Sequence, residues 1–243
     1  MTANWKSYLY KSLWFGLDLL FPPACGGCGK TGSRWCADCQ SNVPNVMAPL
    51  CDVCGLPQAR KGVCIPCQKS PPNYKILRSW AVFESPVREA LLKLKYRRDM
   101  ALGDAMSTQV ADFLSGLGWP VDVLIPIPLG KRRSKERGYN QVEMISMPLA
   151  EKMGVPYTSN ALMRARETRS QVGLSAEERV KNVRGAFQAR TKVQGKTILL
   201  VDDVATTGST LSSGAEALYS AGAAEVYAFT IARALPRHGL SLV

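Results

Sequence analysis

Eight cysteines, all between residues 25 and 67, form four Cys-x-x-Cys pairs: Cys25/Cys28, Cys36/Cys39, Cys51/Cys54 and Cys64/Cys67. Two cysteines separated by two residues share one turn and aim both sulfurs at a single point. Two such turns complete the tetrahedral S4 shell that zinc prefers. Glycine follows closely in CGGCG and CDVCG, where a tight turn needs it. A shell filled by four thiolates leaves no coordination position for a substrate, so the expectation is two structural zinc ions. Sequential pairing puts Cys25, Cys28, Cys36 and Cys39 on one ion and Cys51, Cys54, Cys64 and Cys67 on the other; a cross-braced alternation is the second arrangement. A disulfide framework belongs to secreted chains. Redox use of a Cys-x-x-Cys is the minor alternative, and four copies in one short segment argue against it.

A second constellation lies far downstream, in TILLVDDVATTGST at 197–210. An apolar strand runs into adjacent acids, Asp202 and Asp203, and then into Ala205, Thr206, Thr207, Gly208, Ser209 and Thr210. Small hydroxyl residues around a glycine at the start of a helix make an anion site: unpaired backbone N–H groups and the helix dipole face the ligand, and glycine lets the backbone approach it. Phosphate on one side and carboxylates on the other suit a sugar phosphate, whose hydroxyls donate to the acids. The plain alternative is an ordinary strand–turn–helix with a capping Ser or Thr. Against it stands the cost of two adjacent acids at a buried junction without a partner.

The elements that must position these groups are legible from apolar rhythm. Trp80 to Phe83 reads as a short strand, Pro86 opens a helix through ALLKLKYRRD, and a second amphipathic helix covers Leu102 to Leu114. VDVLIPIPL is a buried strand running into a loop, and NQVEMISMPLAEKMG is a helix with a kink expected at Pro148. KTILLVD, TLSSGAEALYSAG and AEVYAFTIA then read strand, helix closed by Gly222, strand. Such alternation predicts an α/β fold with a mostly parallel central sheet, in which ligands sit beyond the carboxyl ends of the strands, where 126–137 and 202–210 both fall. The chain of 243 residues, 46% hydrophobic, has room for one such domain plus a small module.

At the start, Trp5, Tyr8, Leu9, Leu13, Trp14, Leu17 and Leu20 keep helical spacing, interrupted by Lys6, Lys11 and Asp18. The charges and the lack of a small-residue cleavage site argue against a secretory signal. Nothing approaches the roughly 18 uninterrupted apolar residues of a membrane span. An amphipathic helix docked on its own protein, with membrane-surface binding as the second reading, no membrane span and a cytoplasmic location are expected. The domain boundaries read as a helix over 1–22, a double zinc ribbon over 23–70 and an α/β domain over 76–243.

VDDVATTGST resembles the phosphoribosyl pyrophosphate (PRPP) motif of type I phosphoribosyltransferases. With the N-terminal cysteine pairs, PIPLGKRRSKERGYNQ (126–141) and RETRSQVGLSAEERVKNVRGAF (166–187), nearly the whole chain is similar to the ComF family of competence-associated proteins. The resemblance implies a type I phosphoribosyltransferase fold beside the cysteine-rich module. It implies that Asp202 and Asp203 hold the ribose 2′- and 3′-hydroxyls, that Ala205 to Thr210 cradle the 5′-phosphate, and that Mg²⁺ bridges pyrophosphate and ribose oxygens. The loop carrying Lys131, Arg132 and Arg133 corresponds to the pyrophosphate side. The segment with Arg164, Arg166, Arg169 and Gln171 resembles a mobile loop that closes over PRPP. Arg137, Asn140, Arg179 and Asn182 match family motifs without an assigned role. Where purine-transferring relatives of the wider superfamily often carry a basic aspartate, this chain has Thr206, which cannot act as a base near neutral pH; a purine acceptor is weakened accordingly.

A net charge of +12 predicts attraction to phosphate-rich partners without choosing among them. In KRRSKER, Lys131 to Arg133 read first as a pyrophosphate clamp, with a phosphate-backbone contact as the DNA-binding alternative. Most of Arg88, Lys93, Lys95, Arg97 and Arg98 read as a solvated helix face, with a nucleic-acid contact as the second reading. His238, the only histidine, lies near the C-terminal end as a surface residue. Two functions follow: a PRPP-consuming transferase with an unidentified acceptor, or a non-catalytic PRPP sensor that binds single-stranded DNA and DNA-uptake proteins. Trp35 is the one exposed-looking aromatic in the zinc module, so base stacking there is weakly signalled.

Overall fold

The computed structural model describes residues 22–97, 99–166 and 176–235. The N-terminal helix expected before Pro22, and Arg98, Arg169, Gln171 and His238, lie outside the described residues. The strands are β1 (Ile76–Val82), β2 (Val123–Pro126), β3 (Leu162–Arg164), β4 (Phe187–Ala189), β5 (Thr197–Ala205) and β6 (Glu225–Arg233). The helices are α1 (Ala37–Ser41), α2 (Ile65–Lys69), α3 (Val87–Arg97), α4 (Met100–Ser115), α5 (Lys131–Arg137), α6 (Gln141–Met153), α7 (Ala176–Val183) and α8 (Ser209–Ser220).

Four strands form an all-parallel sheet in the order β1-β6-β5-β2, and β3 and β4 pair antiparallel beside it. Ile198, Leu199, Leu200 and Val201 are fully buried, which is why β5 reads as a continuous apolar run instead of an alternating one. One face of the sheet packs Leu199, Val201 and Phe229 against Leu94, Leu102, Met106, Ile145 and Leu149 from α3, α4 and α6. The other packs Ile198, Leu200 and Ala228 against Leu162, Phe187, Leu211 and Leu218 from the β3–β4 hairpin and α8. Gly103 lets α4 close on α6, since a Cβ there would fall on the Met144 carbonyl. Caps delimit the helices: the Asp99 side chain accepts from Leu102 N, that of Asn140 from Val142 N, and Gly154 ends α6 at φ 67°.

Several expectations are corrected. β1 starts at Ile76, earlier than the Trp80 start read from the sequence, and α6 runs unbroken from Gln141 to Met153 with Pro148 inside it. Asp202 and Asp203 do not follow β5; they are part of it, since pairing with β6 continues to Ala205↔Arg233. The KRRSKER stretch is a helix, capped by Gly138 at φ 70°, not a loop. Strands of three residues, and the charge-dominated AEERVKNV of α7, carry too little apolar rhythm to be read in advance.

The first cysteine segment docks on the helices α3 and α4. Lys93 donates to Cys25 O at 2.6 Å, so this lysine does not belong to a solvated face. Trp35 is buried, and its indole donates to Gln109 Oε1 at 3.0 Å, which removes it as a stacking platform. Arg34 reaches the α4 cap residue Asp99 at 3.1 Å. No helix among the described residues is long and apolar enough to cross a membrane.

Candidate functional site

The cysteines gather into two tetrads, Cys25/Cys28/Cys36/Cys39 and Cys51/Cys54/Cys64/Cys67, with the sulfurs of each set within 4.8 Å of one another. The pairing is therefore sequential, and the cross-braced alternative falls. Sulfur–sulfur separations of 3.6 Å (Cys25–Cys39), 3.7 Å (Cys28–Cys36) and 3.7 Å (Cys54–Cys64) are far beyond a disulfide. They match the edge of about 3.8 Å that a tetrahedron with Zn–S bonds of about 2.3 Å requires. Backbone amides point at the sulfurs as well: Cys36 N donates to Cys25 Sγ, and Cys54 N and Cys64 N donate to Cys51 Sγ. Such amides stabilise thiolate charge. The donor set fits a closed, structural Zn²⁺ at each tetrad.

The acid pair sits where β5 outruns β2. The last β2 residue, Pro126, pairs with Val201, so the next two positions of β5 open onto the carboxyl edge of the sheet. Each carboxylate accepts an amide just ahead of it: Asp203 N donates to Asp202 Oδ1 at 2.9 Å, and Val204 N to Asp203 Oδ1 at 2.8 Å. Gln141, buried at the first turn of α6, donates from Nε2 to Asp203 Oδ2 at 2.9 Å. Arg137 in turn donates to Gln141 Oε1 at 2.7 Å. Burial first, and then the neighbouring Asp203 charge, push the Asp202 carboxyl well above the ordinary range; the Asp203 amide and the Arg164 charge pull it back only in part. A desolvated acid beside a second acid calls for a cation or for hydroxyl donors.

Immediately after the pair, the chain turns through Thr206 and Thr207 into α8. Gly208 precedes the helix at φ 78°. Thr207 Oγ1 accepts from Ser209 N at 3.3 Å and donates to Ser209 Oγ at 3.0 Å, folding the loop over the helix start. Asp202, Ala205, Thr206, Gly208, Ser209 and Thr210 all line one small cavity of about 20 Å³, so Asp202 and the loop share a single depression, while Asp203 is turned to Gln141. Ser209, Thr210 and Leu211 of the first α8 turn line that depression, at the positive end of the helix dipole. Gly208 is required twice: by its left-handed backbone, and because a Cβ would lie 2.6 Å from the Tyr74 hydroxyl. Gly208→Ala is expected to destabilise the protein by about 1–3 kcal/mol, read as a lowered midpoint in urea unfolding.

The expected cations are distributed unevenly. Lys131 and Arg132 are exposed on α5 and Arg133 is half-exposed, with Arg132 paired to Glu136 at 3.5 Å. From this segment the link to the acids runs through Arg137 and Gln141. Gln141 was not singled out in the sequence; its place directly after the cap residue Asn140 was the available signal. Arg164 stacks over the Phe187 ring at 5.2 Å on the Asp202 side. Arg166 donates to the Asn182 and Arg184 carbonyls at 3.1 and 2.9 Å, tying the start of the expected mobile segment to the end of α7. Arg179 is buried on α7. An exposed aromatic does occur, away from the cysteines: Tyr96, with Lys95 and Arg137 at 5.5 and 5.8 Å from its ring.

Comparison with known proteins agrees with both halves of this description. A family model described as a double zinc ribbon domain matches residues 16–68, and one described as a phosphoribosyl transferase domain matches residues 143–239. The chain is 34% identical over 212 residues to the DNA utilization protein YhgH of Salmonella typhimurium, covering 84% of this chain and 92% of that one. It is 30% identical to competence protein F of Haemophilus influenzae, covering 82% and 90%. With competence protein ComFC of Bacillus subtilis it shares 29% identity over 84% of this chain and 86% of that protein. The parallel sheet and the two tetrads thus carry the type I phosphoribosyltransferase fold and the zinc ribbon that the sequence resemblance implied.

Proposed function

The chain belongs to the ComF family, and on that premise we propose that it binds PRPP at the β5–α8 junction and transfers its phosphoribosyl group to an acceptor, in the service of DNA utilisation. The observation that carries the reading is the desolvated Asp202, beside a second acid, sharing one depression with the Gly208 loop. The 5′-phosphate accepts from the loop and the α8 amides, and the ribose hydroxyls donate to the acids. Gln141, itself held by Arg137, fixes the Asp203 carboxylate in place. When bound with PRPP, Mg²⁺ supplies charge stabilisation for the departing pyrophosphate. Lys131, Arg132 and Arg133 on α5, and Arg169 of the 166–187 segment, are assigned to the same leaving-group side; preorganised cations there favour charge separation between ribose and pyrophosphate. Thr206, half-exposed in the loop, offers no base, so the reading favours an acceptor that arrives already ionised over a neutral purine.

The test is calorimetric titration with PRPP and Mg²⁺, followed by a pyrophosphate-release assay over a panel of acceptors. Binding with release supports transfer. Binding with no release under any condition leaves the second reading, a PRPP sensor that contacts single-stranded DNA. One observation favours that reading: Tyr96 offers an exposed π-face flanked by Lys95 and Arg137. On it, Tyr96→Ala should weaken single-stranded DNA binding by about 1–3 kcal/mol in fluorescence anisotropy. Lys95→Ala should instead reduce the salt slope by about one.

A further inference from the structure

The second cysteine tetrad is built onto the strands that launch the phosphate loop. Arg233, the last residue of β6, is fully buried and donates from Nη1 to Cys54 O at 3.0 Å. Its partner across the sheet is Ala205, the residue at which β5 becomes the loop, and Ala234 N donates to Ala205 O at 2.9 Å. Arg78 of β1 donates to Cys51 O at 3.4 Å and Asp52 O at 3.2 Å, and Leu77 N donates to Val53 O at 2.7 Å. The contact leaves no slack, since a Cβ on Gly55 would lie 2.6 Å from Leu77 O.

Just ahead of β1 a strap reaches the loop. Tyr74 is buried, and its hydroxyl lies against Gly208 so closely that a Cβ there would meet it at 2.6 Å; Leu77 Cδ2 would follow at 3.2 Å. Asn73, one residue earlier, donates from its backbone to Ser212 Oγ at 2.9 Å and from its side chain to Ser212 O at 3.4 Å, which fixes the first turns of α8. Tyr74, Leu77 and Ala205 pack in one apolar cluster, and Val53 of the tetrad segment packs against it, so Tyr74 links the tetrad to the loop. Among the described residues the first tetrad makes its contacts elsewhere: Gly26, Trp35 and Cys25 lean on Leu102, Gln109 and Lys93 of α3 and α4.

We propose that Tyr74 and Arg233 are positioning residues through which the metal-loaded Cys51/Cys54/Cys64/Cys67 tetrad holds the Gly208 loop in its phosphate-receiving shape. The two zinc sites are then unequal, one stabilising the α3–α4 face and the other setting the ligand site. Four thiolates on one Zn²⁺ leave a net negative shell. Arg78 and Arg233 beside it supply compensating charge, and their hydrogen bonds carry its rigidity into β1 and β6. The proposal rests on the loop being a phosphate site, as inferred above, but the coupling itself is measurable without ligand.

The experiment compares wild type with Tyr74→Ala, Tyr74→Phe, Cys54→Ser and Cys28→Ser in the full, zinc-loaded chain. Zinc content, amide hydrogen exchange over Thr206–Thr210, and calorimetric affinity for ribose 5-phosphate and for pyrophosphate with Mg²⁺ are read separately. Tyr74→Ala is expected to keep its zinc, speed exchange in the loop and weaken ribose 5-phosphate by at least about tenfold, with a smaller change for pyrophosphate; Tyr74→Phe should recover most of both losses. Cys54→Ser should speed loop exchange more than Cys28→Ser does. Equal acceleration by the two cysteine variants, or unchanged loop exchange in Tyr74→Ala, overturns the coupling. A wild type that binds neither PRPP nor ribose 5-phosphate overturns the function proposed above, and the exchange comparison still decides the coupling.

Discussion

Replacing both acids, Asp202→Asn with Asp203→Asn, is expected to abolish PRPP binding in calorimetry while both zinc ions stay bound. Each acid accepts a main-chain amide that an asparagine oxygen can still accept, which keeps the strand end in place, although at position 203 the new amide nitrogen faces the Gln141 donor. What disappears is negative charge in a desolvated place. The ligand-free single variant Asp202→Asn should therefore be more stable than wild type near pH 8, even though it no longer binds. The sign follows from the raised Asp202 pKa, caused by burial and then by the Asp203 charge. The folded state keeps a proton that the unfolded chain has released, so the stability is complete below the ordinary value of 3.8 and is lost as pH rises towards the elevated one. Wild type should lose melting temperature across that window and Asp202→Asn should lose less, by about 2–4 °C for each kcal/mol relieved. Ligand affinity runs the other way, because the bound form needs the acids ionised; PRPP binding should weaken as pH falls through the same window. An Asp202→Asn protein that melts below wild type at pH 8 would contradict the buried-charge account.

Zinc extraction should have the largest structural effect. Apart from its sulfurs, the apolar cluster at the second tetrad holds, among the described residues, the partly buried Val53, Leu56 and Val63, too little apolar surface to hold the segment folded. Structural zinc in comparable small modules contributes roughly 10–16 kcal/mol of apparent folding free energy at neutral pH. A strong chelator is thus expected to remove exchange protection across residues 51–69, not merely to loosen it. Wild type should carry two zinc ions by mass spectrometry, one for each tetrad. A single Cys54→Ser substitution should lower that to one, because sequential pairing leaves the Cys25 set complete. Loss of both ions from one substitution would contradict the sequential geometry.

The buried Trp35 and the exposed Tyr96 mark the limit of reading aromatics from sequence. Neither has a neighbourhood in the chain that announces its exposure. Trp35 is covered by α4, whose Gln109 lies 74 residues away, and Tyr96 gains Arg137 from α5, 41 positions further on. Lys93 tells the same story, since its partner carbonyl belongs to Cys25.

Local pattern alone determined much here. Cys-x-x-Cys spacing, the buried run of β5, the acids at its end and the hydroxyl-rich glycine loop are each encoded within about a dozen residues, and their chemistry follows from residue type and period. Tertiary structure decided what pairs with what. It chose the sequential tetrads, kept Asp202 and Asp203 inside the sheet, made KRRSKER a helix, brought Gln141 to Asp203 across 62 residues and set Tyr74 under Gly208. These are contacts between distant segments. They depend on the register of parallel strands and on which helix covers which face, and no periodicity within a single element specifies them.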